Sequence, residues 1–389
     1  MYIRKKERAT KMINNYNDHL VIVFALEHYN PLGLIRSLGE NGIYPVYFSI
    51  KRRQEVATYS KYISKLYRAN SVEEGYRLLL KEYGHFDYEH RPIVLFSDDK
   101  SVGYFDLHYD EIKDKFICYN AGKTGRINEF MDKKKILDIA KKYGFNVLDS
   151  YVVNKGEIPV NLVYPIITKD ISPNSGSWKS DVFICNNEEE LKKAYEVITS
   201  PQVLIQRFVN KKNEYALEGF CINQGKEMMI VTSLTWKYLI EGYYSPYHDV
   251  IPFENKDMGE KLQKMFEEIG FEGIFEVEFL IDQDGSYYFL ETNFRASAWN
   301  HTGSIAGMPL SYLWVKSTLN GKIDKKDKKN FIPFTDMSEV IDFGKRVDSG
   351  KISLAQWLLE FKQAKGTYFY DEYDPEPFKV LFEHWEEFK

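Results

Sequence analysis

Short apolar runs alternate with amphipathic stretches in the first third of the chain. Residues 20–26, 44–50 and 93–96 are apolar and short enough for buried strands, and residues 31–40 have the spacing of a helix. Strands that alternate with helices predict a parallel sheet covered by helices. The loop EHYNPLG after the first run has one glycine and matches neither the dinucleotide-binding nor the P-loop pattern. We therefore expect a Rossmann-like domain that binds no dinucleotide.

After residue 130 the pattern becomes mixed. Ile136, Ile139, Ala140 and Tyr143 recur at helical spacing, and Gly144 follows where glycine commonly ends a helix. Helices are also predicted over residues 187–198 and 255–269. Short apolar segments predict strands over residues 164–169, 203–208, 215–222 and 227–234.

Polar and apolar residues alternate through residues 273–295, GIFEVEFLIDQDGSYYFLETNFR. Within this segment Asp284-Gly285 predicts a two-residue hairpin turn, because such turns need positive φ angles. With these two residues as the loop, Gln283 pairs with Ser286. Counting back along both strands gives two further opposing pairs: Glu278 with Glu291, and Glu276 with Asn293.

One face of this hairpin carries the chemistry. By alternation it holds Glu276, Glu278, Glu291, Asn293 and Arg295, together with Leu280 and Phe289. The opposite face is almost continuously apolar and holds Phe275, Val277, Phe279, Ile281, Tyr288, Leu290, Thr292 and Phe294. Like charges side by side destabilise a ladder, so the acidic face predicts a bound cation, and oxygen ligands suit Mg²⁺. The alternative is an amphipathic hairpin with a wet acidic face, which explains the alternation but not the adjacent carboxylates.

Composition excludes several classes of protein. The chain has 389 residues, enough for two or three subdomains, and a net charge of −5 gives no reason to expect nucleic acid as a partner. Its three cysteines are far apart, which fits no zinc or redox spacing and is typical of a reducing cytosol. The apolar run at residues 20–26 is too short to span a membrane and lacks a cleavage site. We expect a cytoplasmic enzyme that does not bind membranes.

The segment Glu-Val-Glu-Phe, a short acidic turn and Phe-Leu-Glu-Thr-Asn-Phe-Arg resembles the metal-binding hairpin of the ATP-grasp superfamily. The resemblance implies that Glu278, Glu291 and Asn293 hold Mg²⁺, with Mn²⁺ as an alternative ion, and that Arg295 stabilises charge on the transferring phosphate. These enzymes use ATP to activate a carboxylate as an acyl phosphate and pass it to an amine or another nucleophile. The implied fold class is α/β, with a Rossmann-like pre-ATP-grasp domain before a two-lobed ATP-grasp domain.

The resemblance also implies a division of the chain. The four parts are a pre-ATP-grasp domain at 1–125, a small lobe with a phosphate lid at 126–205, a large lobe with the metal hairpin at 206–335, and a helical tail at 336–389 packed on the large lobe. In this tail Leu354, Trp357, Leu358 and Phe361 share a helix face, which predicts core packing. The prolines after Asp374 predict a stiff surface turn.

Three lysines are the candidates for contacting the phosphates of ATP. Lys169 ends an apolar strand and so needs a partner or a wet cleft. It also matches the superfamily's strand-ending lysine, which implies a catalytic role. Lys133 follows an acidic residue at a helix start, although Lys134 or Lys135 are alternatives. Lys179 closes the loop 173–179, which resembles a mobile lid, and a plain surface loop is the alternative.

The segment from residue 203 to 215 resembles the superfamily's hinge beside adenine. The resemblance implies that Gln206 and the backbone of Arg207 and Val209 contact the adenine, and that Glu214 accepts hydrogen bonds from the ribose. An exposed loop acid is the alternative for Glu214.

The implied partners are small-molecule carboxylate and amine substrates such as amino acids or a peptide precursor. His301 is a candidate to take a proton from the amine, and a structural histidine is the alternative. A homodimer is the default expectation, since dimers are the commonest assembly. A phosphotransferase and a catalytically silent nucleotide-binding protein remain open as alternatives to the ligase.

Overall fold

The computed structural model describes residues 15–52, 55–85, 89–171, 181–240 and 245–384. Three sheets of six, four and seven strands organise this part of the chain. None of its helices is both long and apolar enough to cross a membrane.

The first sheet is parallel apart from one short strand that pairs with the start of β2. Its strands are β1 (Asn15–Tyr16), β2 (His19–Leu26), β3 (Val46–Ile50), β4 (Lys65–Ala69), β5 (Ile93–Leu95) and β6 (Ile117–Cys118), and its helices are α1 (Asn30–Gly39), α2 (Val72–Tyr83), α3 (Asp99–Leu107) and α4 (Tyr109–Ile112). The order β4-β3-β2-β5-β6 has parallel neighbours throughout, whereas β1 pairs antiparallel with β2. The predicted Rossmann-like architecture is therefore confirmed, and its apolar strands are buried as expected.

A four-stranded sheet follows two helices. Its elements are α5 (Arg126–Met131), α6 (Lys133–Lys142), β7 (Ser150–Asn154), β8 (Ile166–Lys169), β9 (Ile184–Cys185), α7 (Glu188–Val197) and β10 (Gln202–Arg207). Asp132 begins α6 by accepting hydrogen bonds from the amides of Lys134 and Lys135, both at 2.9 Å. Gly144, at a φ of +83°, follows the end of this helix as predicted.

The seven-stranded sheet supplies the wall on which the acidic hairpin lies. Its elements and those of the tail are β11 (Asn213–Ile222), β12 (Glu227–Trp236), β13 (Tyr247–Ile251), α8 (Lys256–Ile269), β14 (Gly273–Ile281), β15 (Tyr287–Asn293), α9 (Thr302–Ile305), α10 (Leu310–Asn320), β16 (Phe334–Met337), α11 (Glu339–Phe343), α12 (Leu354–Gln363), β17 (Gly366–Thr367) and α13 (Glu376–Glu383). The strand order is β15-β14-β11-β12-β13-β16-β17. The hairpin therefore forms one edge, and the chain's tail completes the other.

The hairpin pairs Glu278 with Glu291 and Glu276 with Asn293, as predicted, but through a different turn. The strands end at residues 281 and 287, which leaves a five-residue loop instead of two residues. An extra residue in β15, Leu290, then shifts the register by one before Glu278 is reached. The longer loop and the bulge cancel, so the predicted pairs survive although Gln283 does not pair with Ser286.

Because of the bulge, the side chains of β15 at the outer end of the hairpin lie on the faces opposite to those predicted. Phe289 lies opposite Phe279 and is fully buried in the main core, not on the acidic face. Tyr288 and Leu290 face away from that core and pack in a small separate cluster with Leu148, Val209 and Leu280. The acidic face therefore continues into an apolar patch beside Val209.

The tail differs from its prediction in two places. On α12 only Trp357 is buried, whereas Leu354 and Leu358 are about half exposed (50% and 51%), so the predicted core stripe is wrong. Asp374 lies in the interior instead of a surface turn and receives a hydrogen bond from Arg36 Nε at 3.1 Å. The tail thus contacts the first sheet's helix α1 as well as the seven-stranded sheet.

Residues 366–374 of this tail, here called the strap, are held from both sides. Glu339 accepts the backbone amides of Tyr368, Phe369 and Tyr370 at 3.1, 3.1 and 2.6 Å. Arg36 donates to the carbonyls of Tyr368 and Phe369 at 3.1 and 2.8 Å. The strap therefore links α1 to α11 and places the Tyr368 ring beside His248, with 6.3 Å between ring centroids.

Candidate functional site

The acidic hairpin gathers its carboxylates around one amide. Asn293 Nδ2 donates to Glu276 Oε2 and Glu278 Oε1, both at 3.1 Å. Burial raises the pKa of Glu278 well above its ordinary value, and the neighbouring carboxylates of Glu291 and Glu276 raise it further. Glu291 and Glu276 thus disfavour ionisation of Glu278, and a cation bound between the carboxylates relieves this repulsion.

Arg295 lies at the inner end of this cluster. Its Nη1 donates to Glu276 Oε2 at 2.8 Å, and its Nε is 3.5 Å from Asp99 Oδ1 on α3. Burial lowers the pKa of Arg295, but the carboxylates of Asp99, Glu276 and Glu278 outweigh burial, so the net shift is upward. The guanidinium is thus a permanent positive charge where the first sheet meets the hairpin.

Both oxygens of Glu276 are already engaged. Oε1 accepts from the indole of Trp299 at 2.8 Å, and Oε2 accepts from Asn293 and Arg295. Glu276 therefore orients its neighbours. The oxygen ligands that the hairpin can offer to a cation are those of Glu278, Glu291 and Asn293.

Lys169 ends β8 and faces the same acidic groups. Its Nζ donates to Gln206 Oε1 at 3.0 Å, and Gln206 Nε2 donates in turn to Ser150 Oγ at 3.0 Å. Burial lowers the pKa of Lys169, Glu291 opposes that shift, and Lys133 adds to it. These couplings place Lys169 between the four-stranded sheet and the hairpin, with Lys133 close by.

The three lysines that begin α6 differ in their partners. The ammonium of Lys134 pairs with Asp138, and that of Lys135 lies 3.3 Å from Glu129. Lys133 has no carboxylate within 4 Å in the described part of the chain, and its amide donates to Ile171 O at 2.8 Å. This difference separates Lys133 from Lys134 and Lys135, whose ammonium groups already have carboxylate partners.

Glu214 is part of β11 and is not an exposed loop acid. The Lys211 ammonium pairs with it, and its side chain is 14% exposed. Burial raises the pKa of Glu214, whereas Lys211 and Lys169 lower it. Lys211 also lies 4.5 Å above the Trp236 ring. A carboxyl, an ammonium and an indole thus lie together where β11 begins and β12 ends.

The residues predicted to form the hinge beside adenine differ in their surroundings. Val209 is buried in the apolar patch with Leu148 and Leu280. The backbone N–H of Arg207 already donates to Asp149 O at 2.9 Å, so it is not free to contact adenine in this conformation. The Arg207 side chain points to Asp282 instead, with 4.0 Å between Nη2 and Oδ2.

Two further predictions concern Lys179 and His301. Lys179 and the loop 173–179 lie outside the described residues. His301 Nε2 is 2.9 Å from Glu40 Oε1, which fits the structural alternative.

Sequence reasoning missed two titratable groups near Arg295, the buried Glu218 and the half-buried His28. Glu218 lies opposite Glu276, and burial raises its pKa to about 8. Burial, Arg52 and Arg295 lower the pKa of His28 to about 4, despite a contact with Asn30 that raises it. The alternation of β11 from Glu214 places Glu218 on the same face, and this signal was available in the sequence.

Residues 132–326, half of the chain, match the family model described as "Carbamoyl-phosphate synthase L chain, ATP binding domain". The chain belongs to this ATP-grasp family. Within the family it is similar to D-alanine–D-alanine ligase of Fusobacterium nucleatum subsp. nucleatum, at 28% identity over 172 residues. These residues are 42% of the chain and 55% of the relative, so the chain spans about half that relative's length.

Solved structures share this ATP-grasp fold. An L-amino acid ligase from Bacillus licheniformis aligns with a TM-score of 0.58 and 13% identity, over 78% of this chain and 77% of that one. The biotin carboxylase domain of a Hydrogenobacter thermophilus 2-oxoglutarate carboxylase, a dimer in complex with MgADP and bicarbonate, aligns with 0.62 and 17%, over 82% and 74%. At these identities the likeness shows the fold, which confirms the predicted class.

Proposed function

We propose that this protein is an ATP-dependent ligase that activates a carboxylate as an acyl phosphate and couples it to an amine, with release of ADP and phosphate. The observation that carries the proposal is that Lys169, from the four-stranded sheet, and Arg295, just after the hairpin, both approach the carboxylates of the hairpin. Cations that can contact phosphate oxygens, beside carboxylates that can hold a metal ion, suit a nucleoside triphosphate and its metal.

The donor set fits Mg²⁺. Glu278, Glu291 and Asn293 offer only oxygen ligands, and the mutual repulsion of the buried carboxylates is the strain that a divalent cation removes. In this role the ion supplies charge neutralisation for the β and γ phosphates, and Mn²⁺ has the same ligand preference.

The nucleotide lies between the two lobes in this proposal. Lys133 and Lys169 contact the phosphates, with Lys179 as a third contact. Gln206 and the backbone near Arg207 and Val209 contact the adenine, which rests on the apolar patch formed by Leu148, Val209, Leu280, Tyr288 and Leu290. Glu214 accepts hydrogen bonds from the ribose. Among these adenine contacts, the Arg207 N–H can bind adenine only after its hydrogen bond to the carbonyl oxygen of Asp149 breaks.

Arg295 serves the reacting groups. A substrate carboxylate approaches from the side of the first sheet, where Asp99 and Glu276 hold the guanidinium in place. The planar fork neutralises charge as the carboxylate oxygen attacks the γ phosphate, and Lys169 does so from the other side. Catalysis here depends on positioning and electrostatics, since the protein forms no covalent bond itself.

An amine acceptor is favoured over carboxylation. A D-alanine–D-alanine ligase is a relative at 28% identity, compared with 20% for the propionyl-CoA carboxylase alpha chain of Caenorhabditis elegans, and an L-amino acid ligase shares the fold over more than three quarters of both chains. The carboxylase domain has a similar TM-score, so bicarbonate is the competing substrate to test.

The deciding experiment measures ADP release from Mg-ATP with pairs of amino acids, and with bicarbonate alone. Release that needs both a carboxylate and an amine supports the ligase. Release with bicarbonate alone points to a carboxylase, and binding of ATP without release from any mixture contradicts an enzymatic role. Cytoplasmic location and a homodimer remain predictions.

A further inference from the structure

The carboxyl edge of the first sheet meets Arg295 at the point where the order of the strands reverses. The chain runs outward from β2 through β3 and β4, and then continues on the other side of β2 with β5 and β6. The reversal therefore lies between the carboxyl ends of β2 and β5. In open parallel sheets this crevice is the usual place for a ligand. Asp99, at the start of α3 after β5, contacts Arg295 there, with 3.5 Å between Oδ1 and Nε.

His28 and Arg52 continue this edge across β2 and β3. Leu26 and Ile50 are partners in the parallel register of the two strands, and the N–H of Glu27 donates to Ile50 O at 2.8 Å. His28 and Arg52 each follow two residues after these partners. Neighbouring strands lie about 4.7–4.9 Å apart, so the register places the two residues next to each other just beyond the sheet.

Two guanidinium groups act on the His28 ring. Burial is the main cause that lowers the pKa of His28 to about 4, a contact with Asn30 raises it, and the charges of Arg52 and Arg295 lower it further. The half-buried ring is therefore neutral near pH 7 and cancels none of the charge of the two arginines. An anion beside this ring is attracted by both guanidinium groups.

The other acids of this edge already have partners. They are Glu27, which accepts the Tyr47 hydroxyl and the Val56 amide, and Asp98, which accepts the amides of Leu26 and Ser101. Glu55, three residues after Arg52, pairs with Arg68 at 2.8 Å. Arg52 is exposed and has no carboxylate within 4 Å among the residues that the structure describes. Its guanidinium thus differs from that of Arg295, which contacts Asp99 and a hairpin carboxylate.

We propose that the crevice at the carboxyl ends of β2 and β5 is an anion-binding subsite, in which Arg52 holds a second anionic group of the carboxylate substrate. Arg295 serves the carboxylate that is activated. The substrate is then a small molecule with two anionic groups, one of them a carboxylate. The second group is a carboxylate or a phosphate, since the planar fork of a guanidinium binds either in a bidentate manner. This inference rests on the proposed ligase function and names the class of its acyl substrate.

The test compares acids that differ by one anionic group. The pairs are aspartate with asparagine, glutamate with glutamine, succinate with propionate, and O-phosphoserine with serine, with the amino acids in both enantiomers. Each acid is incubated with Mg-ATP and hydroxylamine, which traps an acyl phosphate as a hydroxamate, so the natural amine need not be known. The variants are Arg52→Met, which removes the guanidinium, and Arg52→Lys, which keeps the charge. Arg77→Met is the matched control, because Arg77 is exposed on α2 of the same domain and pairs with Glu73.

We expect the wild type to use at least one dianionic acid with a KM at least about tenfold below that of its monoanionic partner. Arg52→Met should raise this KM by about 10–100-fold, as loss of a hydrogen bond to a charged group does, while kcat stays within a few-fold. Arg52→Lys should recover part of the loss, and Arg77→Met should match the wild type. A preference for aspartate, glutamate or succinate assigns a carboxylate to the subsite, and a preference for O-phosphoserine assigns a phosphate.

Two results would overturn the subsite and leave the ligase intact. One is turnover without preference for the dianionic member of any pair, and the other is an unchanged KM in Arg52→Met. Absence of hydroxamate and of ADP release with all of these acids would also overturn the dianionic substrate class. In that case ADP release from the amino-acid pairs tested for the proposed function decides separately whether the protein is a ligase.

Discussion

The ammonium group of Lys169 donates a hydrogen bond to the side-chain oxygen of Gln206, 3.0 Å away. Gln206 is itself fixed by Ser150, so a half-buried cation is aimed from the four-stranded sheet at the acidic hairpin. A neutral amide is a suitable support, because it orients the ammonium without cancelling its charge. This arrangement leaves the positive charge of Lys169 available to a phosphate.

Replacing Lys169 with methionine should weaken nucleotide binding. A hydrogen bond to a charged group contributes about 1.5–3 kcal/mol, which corresponds to about 10–100-fold in the Kd for ATP. Isothermal titration with Mg-ATP measures this change. Lys192→Met is the control, since Lys192 is exposed and pairs with Glu188 on α7. Equal affinities of the Lys169 variant and the wild type would contradict a phosphate contact.

Glu291→Gln should separate metal binding from folding. The variant loses a metal ligand, and we expect its turnover to fall by more than about a hundredfold. Loss of a ligand should cost more than loss of a group that only supports a ligand, which typically costs about 10–100-fold. Without metal, removal of a like charge beside Glu278 should leave the melting temperature unchanged or raise it. Thermal melts with a chelator and with Mg-ADP check both points. A large loss of stability in the chelator would show that Glu291 is structural.

Arg36→Met should destabilise the protein strongly. The substitution leaves the buried carboxylate of Asp374 without its cation and frees two carbonyls of the strap. Breaking a buried pair from one side costs about 3–5 kcal/mol. Urea unfolding measures the loss, and Lys379→Met, which removes an exposed pair with Glu376, should change stability by less than about 1 kcal/mol. Similar effects of the two substitutions would refute the anchoring role of Arg36.

Glu218 should make the stability of the ligand-free protein fall as pH rises. Burial raises its folded-state pKa to about 8 from an ordinary value of 4.5. Between these two values the folded state holds a proton that the unfolded state has released, so the contribution is complete below pH 4.5 and is lost as pH rises through about 8. The free energy of unfolding, measured across this pH range, should fall less steeply with pH in Glu218→Gln than in the wild type. Identical slopes would show that Glu218 titrates normally.

Local rules predicted the elements and the acidic face, because hydrophobic period and turn chemistry act over a few residues. The hairpin shows their limit. Asp284-Gly285 indicated a two-residue turn, but the chain forms a longer loop and inserts Leu290 as a bulge, which moves Phe289 into the core. In the core Phe289 lies against the ring of Phe145, which is far away in sequence, with 5.7 Å between ring centroids.

The site residues that lie in one contiguous motif could be predicted from the sequence. Those that are brought together from distant parts of the chain were missed. Glu278, Glu291, Asn293 and Arg295 lie within one hairpin. Glu218 acquires its environment from Ser297, 79 residues away, and Asp374 finds Arg36 across 338 residues. No periodicity in the sequence encodes such pairings, since they depend on how the three sheets meet.

The strap has a consequence for the order in which the molecule is made. The contacts of the strap with Glu339 and Arg36 form only after residues 366–374 have been synthesised. The acidic hairpin, Lys133 and Lys169 all precede the strap in the chain. A nascent chain that ends before the strap therefore lacks the connection between α1 and α11, and this link is the last part of the fold to close.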